Sequence, residues 1–268
     1  MIDGPLLISG SAQDRRVVVT GCSSGIGRAV VELLVAEESL VVGVDVVEPD
    51  YDIDEFHWCD ISEVTNIEDL VAELNGPLHG LCSAAGLPTT KSPEAIMAVN
   101  FFGLRELTNR LLPRLESGAS VVNVASCAGT GWPARIDVIN ELLACPTMAE
   151  GLEVSSRLAL DPVEAYFLSK EAVTVYTMAL ATRHVDRQIR INAVSPGAVY
   201  TPILDEFYAT MNADRLAELR SLAGGREGYP AEIAAPIVFL LGRAASWVNG
   251  VNLIVDGGAE SAVTLGQL

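Results

Sequence analysis

The chain has 268 residues, half of them hydrophobic and only 19% charged, enough material for one domain around a large core. Its 35 acidic and 17 basic residues give a formal net charge of −18, a surface that repels phosphate backbones and anionic lipid and so argues against nucleic acid or membranes as partners. Five scattered cysteines without a CxxC and three dispersed histidines (His57, His79, His184) show no metal-site spacing and fit a reduced, cytoplasmic compartment.

The opening "MIDGPLLISGSAQDRR" has no basic leader or long apolar core, and no run approaches the length of a membrane span, so neither a signal peptide nor a span is expected. "VVVT" (17–20) then reads as a first strand, followed by a helix over 25–37. Further strands are "LVVGVD" (40–45), "FHWCD" (56–60) and "LHGLCSAAG" (78–86). A long helix begins near Pro93 and runs through "NFFGLRELTNRLLPRL", with a kink expected at Pro113. "SVVNVAS" (120–126), "IRINAVSPG" (189–197) and "VNLIVDGG" (251–258) complete seven strands. Continuously apolar strands separated by helices predict an α/β fold, a doubly wound parallel seven-stranded sheet of the Rossmann type, in a single domain over 1–268. Residues 127–165 are expected to form a helical insertion and 202–228 a pair of substrate-loop helices. Both segments start at the C-terminal ends of strands, where open α/β sheets bind ligands, so they are candidate pocket walls.

"VVVTGCSSGIGRAV" places Gly21, Gly25 and Gly27 at the first strand-to-helix turn, where the chain must bend tightly and a pyrophosphate can meet free N–H groups. Asp45 ends the second strand; it can accept from ribose hydroxyls, its charge repels a 2′-phosphate, and "DVVEP" offers no compensating cation. The cofactor expected is therefore NAD. Arg28 is expected to point outward along the helix.

In "EAYFLSKEAV" Tyr166 and Lys170 sit one helical turn apart on one face. Asp161 as N-cap, Pro162 at the first turn and Glu164 as capping-box partner start that helix. A free tyrosine, with a pKa of about 10, is a poor base at neutral pH, and a nearby ammonium favours its phenolate. Burial opposes this, so the lysine is expected to outweigh burial.

TGxxxGxG together with YxxxK resembles the short-chain dehydrogenase/reductase family, from about Val17 to Ala259, with "CDIS" (Asp60), "AVNFFG" (Asn100), "VVNVAS" (Ser126) and "SPGAVYTP" (Ser195 to Pro202) in the matching order. The resemblance implies that Tyr166 is the acid/base, that Lys170 lowers its pKa and binds the nicotinamide ribose, that Ser126 orients the substrate oxygen, and that Asn100 holds a water linking Lys170 to solvent. It implies cofactor contacts from Gly21, Ser23, Ser24, Gly25, Ile26, Asp45, Asp60, Ile61, Ala85, Gly86, Tyr166, Lys170, Pro196, Gly197, Val199 and Thr201, with no metal.

Two departures stand out: Ser83-Ala84-Ala85-Gly86 replaces Asn-Asn-Ala-Gly, with loss of the Asn braces, and 39 residues separate Ser126 from Tyr166. "GTGWPARIDVINELL", "TPILDEF" and "WVNGVNLIVDGG" are similar to the coniferyl-alcohol dehydrogenase group, and the insertion also to 3-alpha-hydroxysteroid dehydrogenase/carbonyl reductases. The implied substrate is a hydrophobic, aromatic or steroid-like alcohol or its ketone or aldehyde. Since the insertion abuts the family's usual pairing helices, a homo-oligomer, a dimer rather than a tetramer, is expected through the last strand and the tail "AESAVTLGQL". A non-catalytic NAD-sensing protein and a lyase or epimerase using transient oxidation are the rival readings. Cys22 and Cys127 are expected to fill space. Trp58, Trp132 and Trp247 are expected to pack, Trp132 being the one candidate ligand contact.

Overall fold

The apolar runs pair side by side as parallel strands. In the computed structural model, which describes residues 12–267, these are β1 (Arg16–Thr20), β2 (Leu40–Asp45), β3 (Glu55–Trp58), β4 (Leu78–Ser83), β5 (Leu115–Val124), β6 (Arg190–Pro196) and β7 (Asn252–Val255). They form one sheet in the order β3-β2-β1-β4-β5-β6-β7. The strand alternation explains why both faces are covered: on β1, Val17 and Val19 point to one side and Val18 to the other, all fully buried. On the first side lie α1 (Gly25–Ala36) and α10 (Pro230–Leu241), contributing Val30, Leu34, Ile233 and Ile237. On the second lie α2 (Val64–Glu73), α3 (Pro93–Met97), α4 (Leu104–Leu111) and α7 (Pro162–Ala181), with Phe101 and Phe102 among the largest fully buried side chains. Strand order reverses between β1 and β4, which opens the crevice where such sheets bind ligands.

The long helix expected from Pro93 is broken, though not at Pro113. A π-helical turn, Ala98–Gly103, separates α3 from α4, and Pro113 sits in the 3₁₀ turn Leu112–Arg114 that ends the helix. The close approach of another backbone marks the break, for a Cβ on Gly103 would lie 2.1 Å from the Ile61 carbonyl oxygen. The fifth strand starts earlier than expected, at Leu115, with an irregular register against β4 between Leu78 and Gly80. The expected ends of the third, fourth and last strands leave the sheet as loops around the crevice.

The segment between β5 and α7 is helical. It contains 3₁₀ turns at Cys127–Gly129 and Trp132–Arg135, then α5 (Ile136–Ala144) and α6 (Met148–Arg157). It is tied into the body of the protein. The buried Arg105 guanidinium donates to the Leu142 carbonyl at 3.0 Å and lies over both Phe101 and Phe102. Gly151 brings α6 onto Phe102, where a Cβ would fall 2.2 Å from the ring. The second helical segment forms α8 (Leu204–Thr210) and α9 (Ala213–Leu222). After β7 the tail forms α11 (Ala259–Thr264), whose Ala259 and Ala262 are buried against the same chain. Among the described residues no helix is long and apolar enough to cross a membrane. The signal-peptide expectation falls on residues 1–11, outside the described residues.

Candidate active site

At the β1–α1 turn Gly21 adopts a positive φ of +70°, and a Cβ there would lie 2.8 Å from the Ala85 nitrogen. Only glycine fits both demands. Helix α1 opens at Ser24, which is extended and makes no side-chain cap, and Ser24, Gly25, Ile26 and Gly27 line the crevice, so among the described residues no Ser24 cap takes the first-turn N–H groups. Asp45 at the tip of β2 closes the same end: its Oδ2 accepts from Ser23 N at 3.0 Å, its Oδ1 from Val46 N and Val47 N at 2.7 and 3.2 Å. Asp60 Oδ1 accepts from Ser62 N and Oγ at 2.9 and 2.7 Å. Arg28 points outward, as expected, bonded to Glu32 and Asp50 and stacked on Tyr51.

The lost Asn braces have a substitute that the sequence reading missed. Thr20 Oγ1 accepts from both Ala84 N and Ala85 N at 3.1 Å, so one buried hydroxyl on β1 holds the end of β4. The local signal is only that this residue precedes the first glycine.

Helix α7 starts with the expected capping box: Glu164 N donates to Asp161 Oδ1 at 2.8 Å and Asp161 N to Glu164 Oε2 at 3.1 Å. Tyr166 and Lys170 lie in its second and third turns. The half-buried Tyr166 ring meets Phe207 of α8 edge-on, centroids 4.9 Å apart. Lys170 is 5% exposed, its Nζ donating to the Val124 carbonyl at 3.0 Å and lying 5.8 Å from the Tyr166 ring centroid. Ser126, just past β5, accepts from Ala128 N at 3.1 Å through Oγ. Asn100 lies in the π-helical turn, fully buried, with Oδ1 accepting from Leu87 N at 2.7 Å and Nδ2 donating to Leu87 O at 3.1 Å. Its amide therefore braces the loop after β4. A Cβ on Gly86 would lie 3.4 Å from Asn100 Oδ1 and 3.7 Å from Lys170 Nζ, so the three residues adjoin.

One expectation is reversed. Burial pushes the Tyr166 phenol up to about 12, with the Ser126 hydroxyl acting the other way and Cys127 adding to the rise. Burial also brings the Lys170 ammonium down to about 8. In the protein alone desolvation prevails over the lysine, because Nζ is turned to Val124 rather than to the phenol oxygen.

A cleft of about 1310 Å³ collects these groups. Every expected cofactor contact lines it except Ser23, and every expected catalytic residue except Asn100. Ser23 is turned away because its hydroxyl donates to the Val47 carbonyl. Beyond Tyr166 the cleft is lined by Leu152, Val163 and Phe167 and by Phe207, Met211 and Leu219 of the α8–α9 segment. Both off-pattern segments thus contribute residues to the cleft. Trp132 does not line the cleft; it packs half-buried on the core. Trp58 and Trp247 are 60% and 98% exposed, against the expectation that they pack, because β3 is an edge strand and Trp247 lies in a surface loop. Burial raises the thiols of Cys22 and Cys127, Cys127 Sγ lies 3.8 Å from Asp256 Oδ2, and among the described residues no group of three or more His, Cys, Asp or Glu side chains could hold a metal.

Comparison with known proteins matches this geometry to a family. Residues 15–136 fit the short chain dehydrogenase model and residues 153–260 the model described as Enoyl-(Acyl carrier protein) reductase, so most of α5 and the start of α6 fall between the two. A coniferyl-alcohol dehydrogenase from a Pseudomonas species is 36% identical over 250 residues, covering 92% of this chain and 97% of that protein. A 3-alpha-hydroxysteroid dehydrogenase/carbonyl reductase from Comamonas testosteroni is 31% identical over 265 residues, covering 92% and 97%. Among solved structures, the 3-alpha-hydroxysteroid dehydrogenase from Pseudomonas sp. B-0831 complexed with NADH superposes with a TM-score of 0.79 at 32% identity, covering 94% and 99%. With its parallel sheet, glycine turn and Tyr/Lys helix, the chain belongs to the short-chain dehydrogenase/reductase family of oxidoreductases.

Proposed function

We propose that this protein is an NAD-dependent dehydrogenase/reductase that interconverts a hydrophobic alcohol, aromatic or steroid-like, with its carbonyl. The observation that carries the reading is the convergence of Ser126, Tyr166 and Lys170 on one apolar-walled cleft whose other end is an uncapped helix start and the Asp45 carboxylate. The cradle fits a dinucleotide. A side chain at Gly21 would fill the space beside Ala85, the α1 N–H groups are free for a pyrophosphate, and Asp45 stands where a ribose edge would lie. Asp45 disfavours a 2′-phosphate, and Arg28, just past the glycine turn, is engaged by Glu32 and Asp50. When bound, the nicotinamide supplies or accepts the hydride.

In this reading Tyr166 exchanges the proton at the substrate oxygen and Ser126 Oγ holds that oxygen beside the phenol. Lys170 supplies positive charge beneath the ring and binds the ribose, and Asn100 keeps the loop after β4 against Lys170 and supports the proton relay. Burial leaves the phenol protonated in the protein alone, the form that donates to a carbonyl during reduction. For alcohol oxidation Lys170 needs further positive charge in the cleft before it can draw the phenol down.

The apolar wall of Leu152, Val163, Phe167, Phe207 and Met211 supports a flat hydrophobic substrate, and the coniferyl-alcohol relative supports an aromatic one. The hydroxysteroid relatives, one of them a solved structure, support 3-alpha-hydroxysteroids as the second reading. We place the enzyme in the cytoplasm as a homo-oligomer. The test is a turnover panel with NAD+ and NADP+ against cinnamyl-type alcohols and 3-alpha-hydroxysteroids. The expected result is NADH formation from NAD+, stoichiometric with the carbonyl product and greatest with the aromatic alcohols. No absorbance change across a broad alcohol and ketone panel would overturn the reading in favour of NAD sensing without catalysis. Turnover without net NADH would favour a lyase or epimerase.

A further inference from the structure

The lid formed by α8 and α9 is fastened through one carboxylate. Glu227 is 4% exposed and lies just beyond the lid. Its Oε1 accepts from the Tyr208 hydroxyl of α8 at 2.5 Å and meets the Arg220 guanidinium of α9 at 3.3 Å. Both lid helices therefore end on the same buried oxygen. Oε2 is buried with no hydrogen-bond partner among the described residues; the hydrogen bond and the ion pair at Oε1 both come from the lid, while the Tyr200 hydroxyl, outside it, also acts on the carboxylate.

The carboxylate's backbone is fixed in turn. Gly228 pairs with Val199 in an isolated parallel bridge, with Tyr200 N donating to Gly228 O and Gly228 N to Ala198 O, each at 2.9 Å. That strip continues β6 past Pro196 and carries Val199 and Thr201 into the cleft. On α8, Phe207 and Tyr208 project to different sides, Phe207 against Tyr166 and Tyr208 to Glu227. The opposite edge of α8 is held to the loop after β4 by Thr89–Thr210 and Thr90–Glu206 hydroxyl contacts.

We propose that Glu227 is a positioning residue for the substrate pocket: by holding Tyr208 and Arg220 together it sets the lid wall that Phe207 presents to Tyr166, and so governs affinity for the bulky substrate rather than for the cofactor. The inference rests on the dehydrogenase reading only in taking the lid side of the cleft as the substrate side. The variant to compare with wild type is Glu227→Gln, which keeps size and removes charge, with Tyr208→Phe as an independent cut in the same link. Each is measured with NADH bound for tryptic cleavage after Arg215 or Arg220 in the lid, and with NAD+ for steady-state turnover of the best alcohol.

Loss of a charged hydrogen bond should raise the substrate KM and the lid cleavage rate about 10-fold in Glu227→Gln, with the KM for NAD+ changed less than about 2-fold. Tyr208→Phe should move both readouts the same way, and the double variant should go no further than Glu227→Gln alone. Wild-type cleavage and KM in correctly folded Glu227→Gln would overturn the proposal, as would equal rises in both KM values. If Glu227→Gln does not fold, wild-type behaviour of Tyr208→Phe overturns it just as well. Should wild type turn over no alcohol at all, the dehydrogenase reading falls alone and the cleavage rates still decide the lid link.

Discussion

Lys170 is held in the fold against its own preference, and removing its charge should stabilise the protein while destroying activity. Burial brings the ammonium from its ordinary 10.5 down to about 8. At about 1.4 kcal/mol per pH unit, keeping it charged costs the folded state about 3 kcal/mol near neutrality. Lys170→Met has similar length and no charge. It removes that cost but leaves the Val124 carbonyl without its 3.0 Å donor, a loss of about 1–2 kcal/mol. The balance is a gain of about 1–2 kcal/mol, read as a rise of about 2–8 °C in melting temperature without cofactor at pH 7. The pH dependence identifies the cause. Between about 8 and 10.5 the native state binds fewer protons than the unfolded chain, so wild type gains stability as pH rises through that window. Lys170→Met lacks this gain, and its advantage should shrink steadily above about pH 8. Paired thermal melts from pH 6 to pH 10 measure the difference directly, since other alkaline titrations are common to both proteins. A variant less stable than wild type at pH 7, or an advantage that does not change with pH, would refute the reasoning.

Gly129→Ala tests the packing behind the lysine. The new Cβ would lie 2.7 Å from the Lys170 carbonyl oxygen and 2.9 Å from its carbon, so backbone must shift. We expect a stability loss of about 1–3 kcal/mol in a denaturant melt and a fall in kcat of at least about 10-fold, because the displaced segment carries Lys170; wild-type values of both would show that the turn yields freely. Asp45→Asn tests cofactor choice, since it keeps an acceptor for the Val46 and Val47 amides and removes the charge. The kcat/KM ratio of NAD+ over NADP+ should fall about 10-fold, and an unchanged ratio would mean that other groups exclude the 2′-phosphate.

Much of this fold is legible because its signals are local. Each strand is a short apolar run, and the glycine turn, Asp45 and the capping box at Asp161 and Glu164 each announce themselves within a few residues. What stayed hidden depends on partners distant in sequence. Thr20 bracing Ala84 and Ala85, and Thr89 meeting Thr210 across 121 positions, leave no trace in either segment. The π-helical turn at Ala98–Gly103 arises where the Ile61 carbonyl crowds Gly103, so "AVNFFG" alone reads as ordinary helix. The direction of the Tyr166 shift is hidden for the same reason. Spacing reveals the lysine one turn away, but the desolvation that prevails comes from a site closed over by Phe207 and from an Nζ committed to Val124.

The central claim is that Tyr166 handles the proton that accompanies hydride transfer, and Tyr166→Phe examines it with one atom removed. The ring and its edge contact with Phe207 remain, so the fold and the dinucleotide cradle should be unaffected. NADH titration should give an affinity within about 3-fold of wild type, while kcat with the best alcohol should fall by about 100- to 10,000-fold. A Tyr166→Phe enzyme that binds NADH normally and turns over at the wild-type rate would contradict the account.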